Sequence, residues 1–169
     1  MRPGIGQTTI SDSFTDEELW DTTSSGQGTA SVDRNRLTLA VQPEGYRISL
    51  RHDLTLSNFY AEITARPNLC RGDDEYGMLV RANAVAYYRF ALSCNGTMRA
   101  ERISVGTRQA LQDAIPSGDA PRGSPGEVRI GVWASGSEMR LFLNGRYQFT
   151  INNSNYPTGT IGVFAHAAG

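Results

Sequence analysis

Between residues 127 and 166, apolar and polar side chains alternate in three runs separated by turn residues. Val128, Ile130 and Val132 alternate with Arg129, Gly131 and Trp133, and Ser135-Gly136-Ser137 closes the run. Met139, Leu141 and Leu143 then alternate with Arg140 and Phe142, Asn144-Gly145 follows at once, and Tyr147, Phe149 and Ile151 carry the pattern back. A period of two marks strands with one buried face. Asn-Gly between two such runs predicts a hairpin, because both residues tolerate the positive φ of a type I′ turn. The segment therefore reads as an antiparallel meander.

The same period runs upstream. It passes through Val32, Leu37, Leu39 and Val41 in residues 30–41, through residues 46–50, and through Phe59, Ala61, Ile63 and Ala65 against Tyr60, Glu62 and Thr64. Further strands are predicted at 76–81, 87–94 and 97–103. Phe14 and Trp20 bracket an acidic stretch and are expected to pack under a sheet edge. Residues 107–114 are the one place where a short helix is expected, and Pro116, Pro121 and Pro125 predict a surface loop over 112–126. Residues 1–10 read as an extended arm, and residues 11–169 as a single domain. Roughly ten short strands with turns at this spacing predict an all-β, two-sheet antiparallel sandwich or jelly roll.

Composition narrows the partners. A chain of 169 residues forms one domain with its own core. The net charge of −1 gives no basic surplus for nucleic acid or an anionic membrane. All 16 basic residues are Arg, which excludes Lys-based Schiff-base chemistry. No apolar run approaches the roughly 20 residues of a membrane span, and residues 1–10 are polar and Gly-rich rather than leader-like. Cys70 and Cys94 each close a predicted strand, so they are read as a disulfide between neighbouring strand ends, the alternative being two separate buried thiols. A disulfide points to an oxidising compartment, hence to an extracellular or cell-surface protein.

Ser-Asp-Ser-Phe at 11–14 followed by Trp20, Tyr-Gly-Met-Leu-Val-Arg at 76–81 and Tyr-Tyr-Arg-Phe-Ala-Leu at 87–92 form a recognisable series. It continues through Asn-Gly-Thr-Met-Arg at 95–99, Leu-Phe-Leu-Asn-Gly at 141–145 and Gly-Thr-Ile-Gly-Val-Phe at 159–164. The series resembles the concanavalin A-like lectin/glucanase superfamily, in the style of laminin-G-like and keto-disaccharide-hydrolase-like domains of bacterial secreted proteins. The resemblance implies two curved antiparallel sheets used for glycan binding, glycan hydrolysis, or adhesion and assembly. It also implies a further strand after residue 164, lying beside the N-terminal one. With the sequence stopping at Gly169, that strand is either cut off or supplied from elsewhere, for instance by the N-terminal arm of another copy.

Alternation sorts the side chains into faces. Met78, Val80, Tyr88, Phe90, Leu92, Met98, Val128, Ile130, Val132, Leu141, Ile161 and Val163 are expected to point into the core. The opposite set is aromatic and guanidinium in character, the chemistry that stacks on sugar rings and hydrogen-bonds their hydroxyls. From it, Arg81, Tyr87, Arg89, Glu101, Trp133 and His166 are expected to line a shallow carbohydrate-binding groove. The alternative has Trp133, Phe142 and Phe164 covered by the 112–126 loop and the arginines solvated or paired with Glu101. Glycoside hydrolysis requires two carboxyl groups about 5 to 9 Å apart. The Glu-x-Asp-x-x-Glu run of the glucanase branch is absent and Glu101 stands alone, so a non-catalytic carbohydrate-binding or adhesion module is expected, with a structural subunit of a surface assembly using strand exchange by its N-terminal arm, and then a hydrolase-like enzyme, as alternatives. Asp73 and Asp74 cluster oxygen donors in a turn that either holds a structural calcium or is simply solvated, and Asp12 is a second calcium candidate. No other cofactor is implied. The expected partner is a glycan or another copy of the chain.

Overall fold

The computed structural model describes residues 12–22, 27–123 and 125–168. The expectation of an extended arm over residues 1–10 falls outside them. After a 3-10 turn at Glu17–Leu19, capped by the Asp16 carboxylate, come twelve strands among the described residues. They are β1 (Gly28–Asp33), β2 (Arg36–Val41), β3 (Tyr46–Leu50), β4 (Phe59–Ala65), β5 (Glu75–Ala82), β6 (Ala86–Ser93), β7 (Thr97–Ser104), β8 (Thr107–Pro116), β9 (Val128–Ser135), β10 (Glu138–Leu143), β11 (Arg146–Asn152) and β12 (Thr160–His166). All pairings are antiparallel. One layer is a six-stranded sheet in the order β3-β12-β5-β6-β7-β8, the other a four-stranded sheet β11-β10-β9-β4, with β1 and β2 forming a separate hairpin.

The meander at 128–152 forms as the alternation predicts. Asn144 and Gly145 both carry positive φ at its second turn. Residues 30–41, which read as one alternating run, are instead a hairpin. It turns at Arg34 and Asn35, both at positive φ, a conformation that Asn accepts more readily than most residues.

The helix expected at 107–114 is absent: these residues belong to β8, which pairs with β7 through Gln109–Arg102 and Arg108–Ile103. Leu111 and Ile115 pack against the main core, so tertiary burial overrides a weak local preference. The 112–126 loop is correspondingly shortened. Its remainder is tied down by Ser117 Oγ donating to Gln148 Oε1 (2.8 Å), by Gly123 N–H donating to the Cys94 carbonyl (2.7 Å), and by Ala120 in the core.

Between the layers lies one cluster built from β4 to β7 and β9 to β11. It contains Met78, Val80, Tyr88, Phe90, Leu92, Met98, Val128, Ile130, Val132 and Leu141 as expected. Burying a side chain of this size stabilises by roughly 1.5–3 kcal/mol before entropy is counted. Tyr88 keeps its hydroxyl satisfied by donating to Asn153 Oδ1 (2.6 Å) and accepting from Tyr156 N–H (3.0 Å). Ile161 and Val163 differ from expectation in degree, being only half-buried. The Cys70–Cys94 disulfide is formed and ties the approach to β5 to the end of β6.

Candidate functional site

Two registers assemble the outer face of the six-stranded sheet. Arg89 of β6 stands opposite Glu101 of β7, and His166 of β12 lies between Tyr46 of β3 and Glu75 of β5. Every member of the outward apolar cluster there, including Leu79, Tyr87, Ala91 and Phe164, comes from this sheet itself. Among the described residues, then, no strand of the other layer contributes to it.

On this apolar floor sits a connected polar network. Arg89 donates from Nε to Glu101 Oε1 (2.7 Å), pairs with the same carboxylate through Nη2, and donates from Nη1 to the Tyr46 hydroxyl (3.0 Å), which in turn meets the Tyr87 hydroxyl (2.9 Å). Its guanidinium also lies 5.2 Å from the Phe164 ring centre and 5.5 Å from that of Tyr46. Arg99 bridges the two carboxylates, donating to both oxygens of Glu75 (2.7 and 2.8 Å) and to Glu101 Oε2 (2.9 Å). Arg108 approaches Glu101 Oε2 at 3.4 Å with 62% of its side chain exposed.

Three guanidiniums therefore converge on Glu101, which is only 2% exposed. Burial works to lower the Arg89 pKa, but Tyr46 and Glu101 outweigh it and the net direction is upward. Hydrogen bonds to Glu75 raise the Arg99 pKa as well. Burial pushes the Tyr46 phenol well above its usual range. Arg89 and Arg99 therefore stay protonated and Tyr46 stays neutral throughout the physiological range.

The residues expected to line one groove are only partly brought together. Tyr87, Arg89, Glu101 and His166 share this face. Trp133 does not. It lies on the outside of the four-stranded sheet, opposite Arg140 and Tyr60, with the Arg140 guanidinium 4.5 Å from its ring centre and its Nε1 buried without a hydrogen-bond partner among the described residues. The error has a simple cause: alternation places a residue inside or outside its own sheet and carries no information about which sheet that is.

Arg81 is also elsewhere. A positive φ of 46° within β5 turns its side chain toward the carbonyls of Ser57 (2.7 Å) and Gly136 (2.6 Å). It thereby clamps the β9–β10 turn and the approach to β4. Conversely, sequence reasoning missed Tyr46, Glu75 and Arg108. Glu75 adjoins the acidic turn in sequence, and Arg108 falls within residues 107–114, where a short helix is expected. Only the strand order puts them beside Glu101.

The acidic turn is engaged internally. Asp73 Oδ1 accepts from Asn95 Nδ2 (2.9 Å), and Asp74 accepts from Ala168 N–H (2.8 Å) and Arg71 N–H (3.3 Å). Asp12 accepts from Trp20 Nε1 (2.7 Å) and Phe14 N–H (2.8 Å). Among the described residues, no three His, Cys, Asp or Glu side chains gather in a way that could hold a metal ion.

No protein-family model matches the chain, and no curated protein matches it in sequence. Solved structures do. The carbohydrate-binding module CBM66 from Bacillus subtilis superposes with a TM-score of 0.73 at 14% identity over 88% of each chain. A glycoside hydrolase family 16 endo-glucanase from Bacteroides ovatus superposes at 0.64, with 8% identity, over 91% of this chain and 83% of its own. Sheep galectin-11 superposes at 0.50, with 10% identity, over 76% of this chain and 93% of its own.

The chain has the concanavalin A-like jelly-roll fold. Binding modules, lectins and hydrolases all occur among its structural neighbours, so the fold leaves the choice to the site. In this jelly roll both Glu101 oxygens accept from guanidiniums, Oε1 from Arg89 and Oε2 from Arg99.

Proposed function

We propose that this jelly roll is a carbohydrate-binding module that acts without catalysis, with its ligand surface on the outer face of the six-stranded sheet. The observation that carries the reading is the continuous aromatic and ionic network from Tyr46 through Arg89, Glu101 and Arg99 to Glu75. It lies on a sheet face to which, among the described residues, the other layer adds nothing. Buried Glu101 and Arg89 form the fixed base. The more accessible Tyr46, Arg99, Arg108 and His166 present a ring edge, guanidiniums and an imidazole at the height where a sugar would rest. Pre-organised guanidiniums lose little freedom on binding a hydroxyl or carboxylate. The likeness to a carbohydrate-binding module supports this reading, and the disulfide supports a place outside the cytoplasm.

The hydrolase reading asks for a pair of carboxyl groups with different duties. Glu101 and Glu75 are joined through Arg99 in one ion-pair network, so the second reading gains no support from the site.

The test is a glycan array followed by calorimetric titration of any oligosaccharide that binds. Arg99→Ala and His166→Ala are expected to weaken binding at least tenfold, while Tyr147→Ala on the other sheet leaves it unchanged. Binding that ignores both outer-face substitutions would move the site elsewhere. Release of reducing ends from the bound oligosaccharide would make the protein an enzyme.

A further inference from the structure

On the outer face of the six-stranded sheet the strongest hydrogen-bond acceptors are already occupied. Glu101 Oε1 accepts from Arg89 Nε (2.7 Å) and Oε2 from Arg99 Nη1 (2.9 Å). Glu75 Oε1 and Oε2 accept from Arg99 Nη2 (2.8 Å) and Nε (2.7 Å), and the Tyr46 hydroxyl accepts from Arg89 Nη1 (3.0 Å). Guanidinium donors remain. A guanidinium carries five N–H groups and accepts nothing, so Arg99 still has N–H groups free beyond the three it uses. Arg108, 62% exposed, makes only its 3.4 Å approach to Glu101 among the described residues. A ligand on this face therefore meets donors and must itself supply acceptors.

The formal charges point the same way. Arg89, Arg99 and Arg108 gather around two carboxylates, Glu101 and Glu75, which leaves one positive charge on this face of a chain whose net charge is −1. The surplus sits at Arg108, on the last strand of the sheet among the described residues. Asp113 is the only acidic residue of β8 and forms no ion pair among the described residues. Asp73 and Asp74 lie ahead of β5, which β6 and β7 separate from β8. Three strand spacings amount to about 14 Å, more than the roughly 10 Å over which exposed charges act in 0.1 M salt.

The same corner has room. Arg99 Nη1 and Arg108 Nε both approach Glu101 Oε2, so the two guanidiniums lie side by side. Ala110 stands opposite Glu101 in the β7–β8 register and is exposed, and its methyl group leaves the space beside Arg108 open. We propose, taking this outer face as the glycan surface, that the glycan is acidic, with a carboxylate or sulfate group seated over Ala110 between Arg108 and Arg99. Both groups only accept hydrogen bonds, and an oxyanion meets a guanidinium through two parallel charge-assisted bonds that a single hydroxyl cannot make. Buried Glu101 and Arg89 hold the two outer guanidiniums in place from below.

A glycan array read in matched pairs tests the assignment on the full chain: oligogalacturonate against its methyl ester, and a sulfated galactan oligosaccharide against its desulfated form, with calorimetric titration of whatever binds. An acidic form is expected to bind about tenfold more tightly than its neutral counterpart, and the difference should shrink as salt rises from about 50 to 500 mM. Whichever pair shows it distinguishes carboxylate from sulfate. Arg108→Gln should bring the two forms of that pair close to equal affinity, whereas Arg108→Lys, which keeps the charge, retains most of the difference. Should Arg108→Gln fail to fold, the paired comparison on the parent chain decides alone. Neutral glycans that bind as tightly as acidic ones, with binding still lost in Arg99→Ala, would overturn the acidic ligand and leave the carbohydrate-binding reading standing. A preference for the acidic form that persists unchanged in Arg108→Gln would overturn the seat at Arg108. An array on which neither acidic nor neutral glycans bind would remove both readings together.

Discussion

Glu101 illustrates how little a residue's chemistry can be read from its type. A glutamate on the outer face would be the acid of the hydrolase alternative, yet here it is buried and ringed by Arg89, Arg99 and Arg108. Removing one partner of a buried ion pair leaves the others uncompensated, which costs about 3–5 kcal/mol. Glu101→Ala is therefore expected to lower the unfolding free energy in urea by that amount, and a loss below about 1 kcal/mol would show that the network is solvated in solution. Tyr76 supplies a pH dependence. Burial pushes its phenol up to about 12, above its ordinary 10, so the folded state holds the proton more tightly than the unfolded state. Its contribution is fully present below about pH 10 and is lost as the pH rises toward 12. Stability measured between pH 9 and 12 should fall less steeply in Tyr76→Phe than in the parent, and identical profiles would contradict the assignment.

At the scale of the element, Gly77 explains how β5 and β12 bring the site together. It pairs with Phe164, whose ring lies directly over it, and an added Cβ would collide with the Phe90 carbonyl of β6. Overpacking inside a close-packed sheet costs roughly 1–3 kcal/mol. Gly77→Ala should lower the thermal midpoint accordingly and weaken the proposed glycan binding with it, because Phe164 is the ring on which Arg89 rests. An unchanged midpoint would mean that the strands part more easily than their register suggests. Strand identity was legible wherever alternation was clean: β3 and β4 occur with the bounds read from sequence, and β10 and β11 meet at Asn144-Gly145. It failed at β8, where Leu111 and Ile115 are spaced four apart, a spacing that suits either a helix face or one side of a strand. It also failed at Arg34-Asn35, where the turn residues are not the usual glycine pair.

For the molecule as a whole, the β1–β2 hairpin stands apart from the two layers of the sandwich. β1 and β2 contribute no residue to the main core cluster, whereas β5, β6, β9 and β10 are buried along most of their length. Hydrogen exchange under native conditions should therefore show the hairpin amides opening at lower free energy than those of β5, β6, β9 and β10, and equal protection throughout would mean that the hairpin unfolds only with the whole. The sequence by itself determined the fold class, the disulfide, most strand positions and the division of each strand into an inner and an outer side. These follow from local period, turn chemistry and the placing of cysteines at strand ends. Tertiary structure alone decided which outer sides coincide. Trp133 and Arg89 obey the same alternation, yet they emerge on opposite sides of the sandwich, while Tyr46, Glu75 and Glu101, far apart in sequence, meet on one. Strand order depends on long-range pairing and packing, which no local pattern encodes, and the site is a consequence of that order.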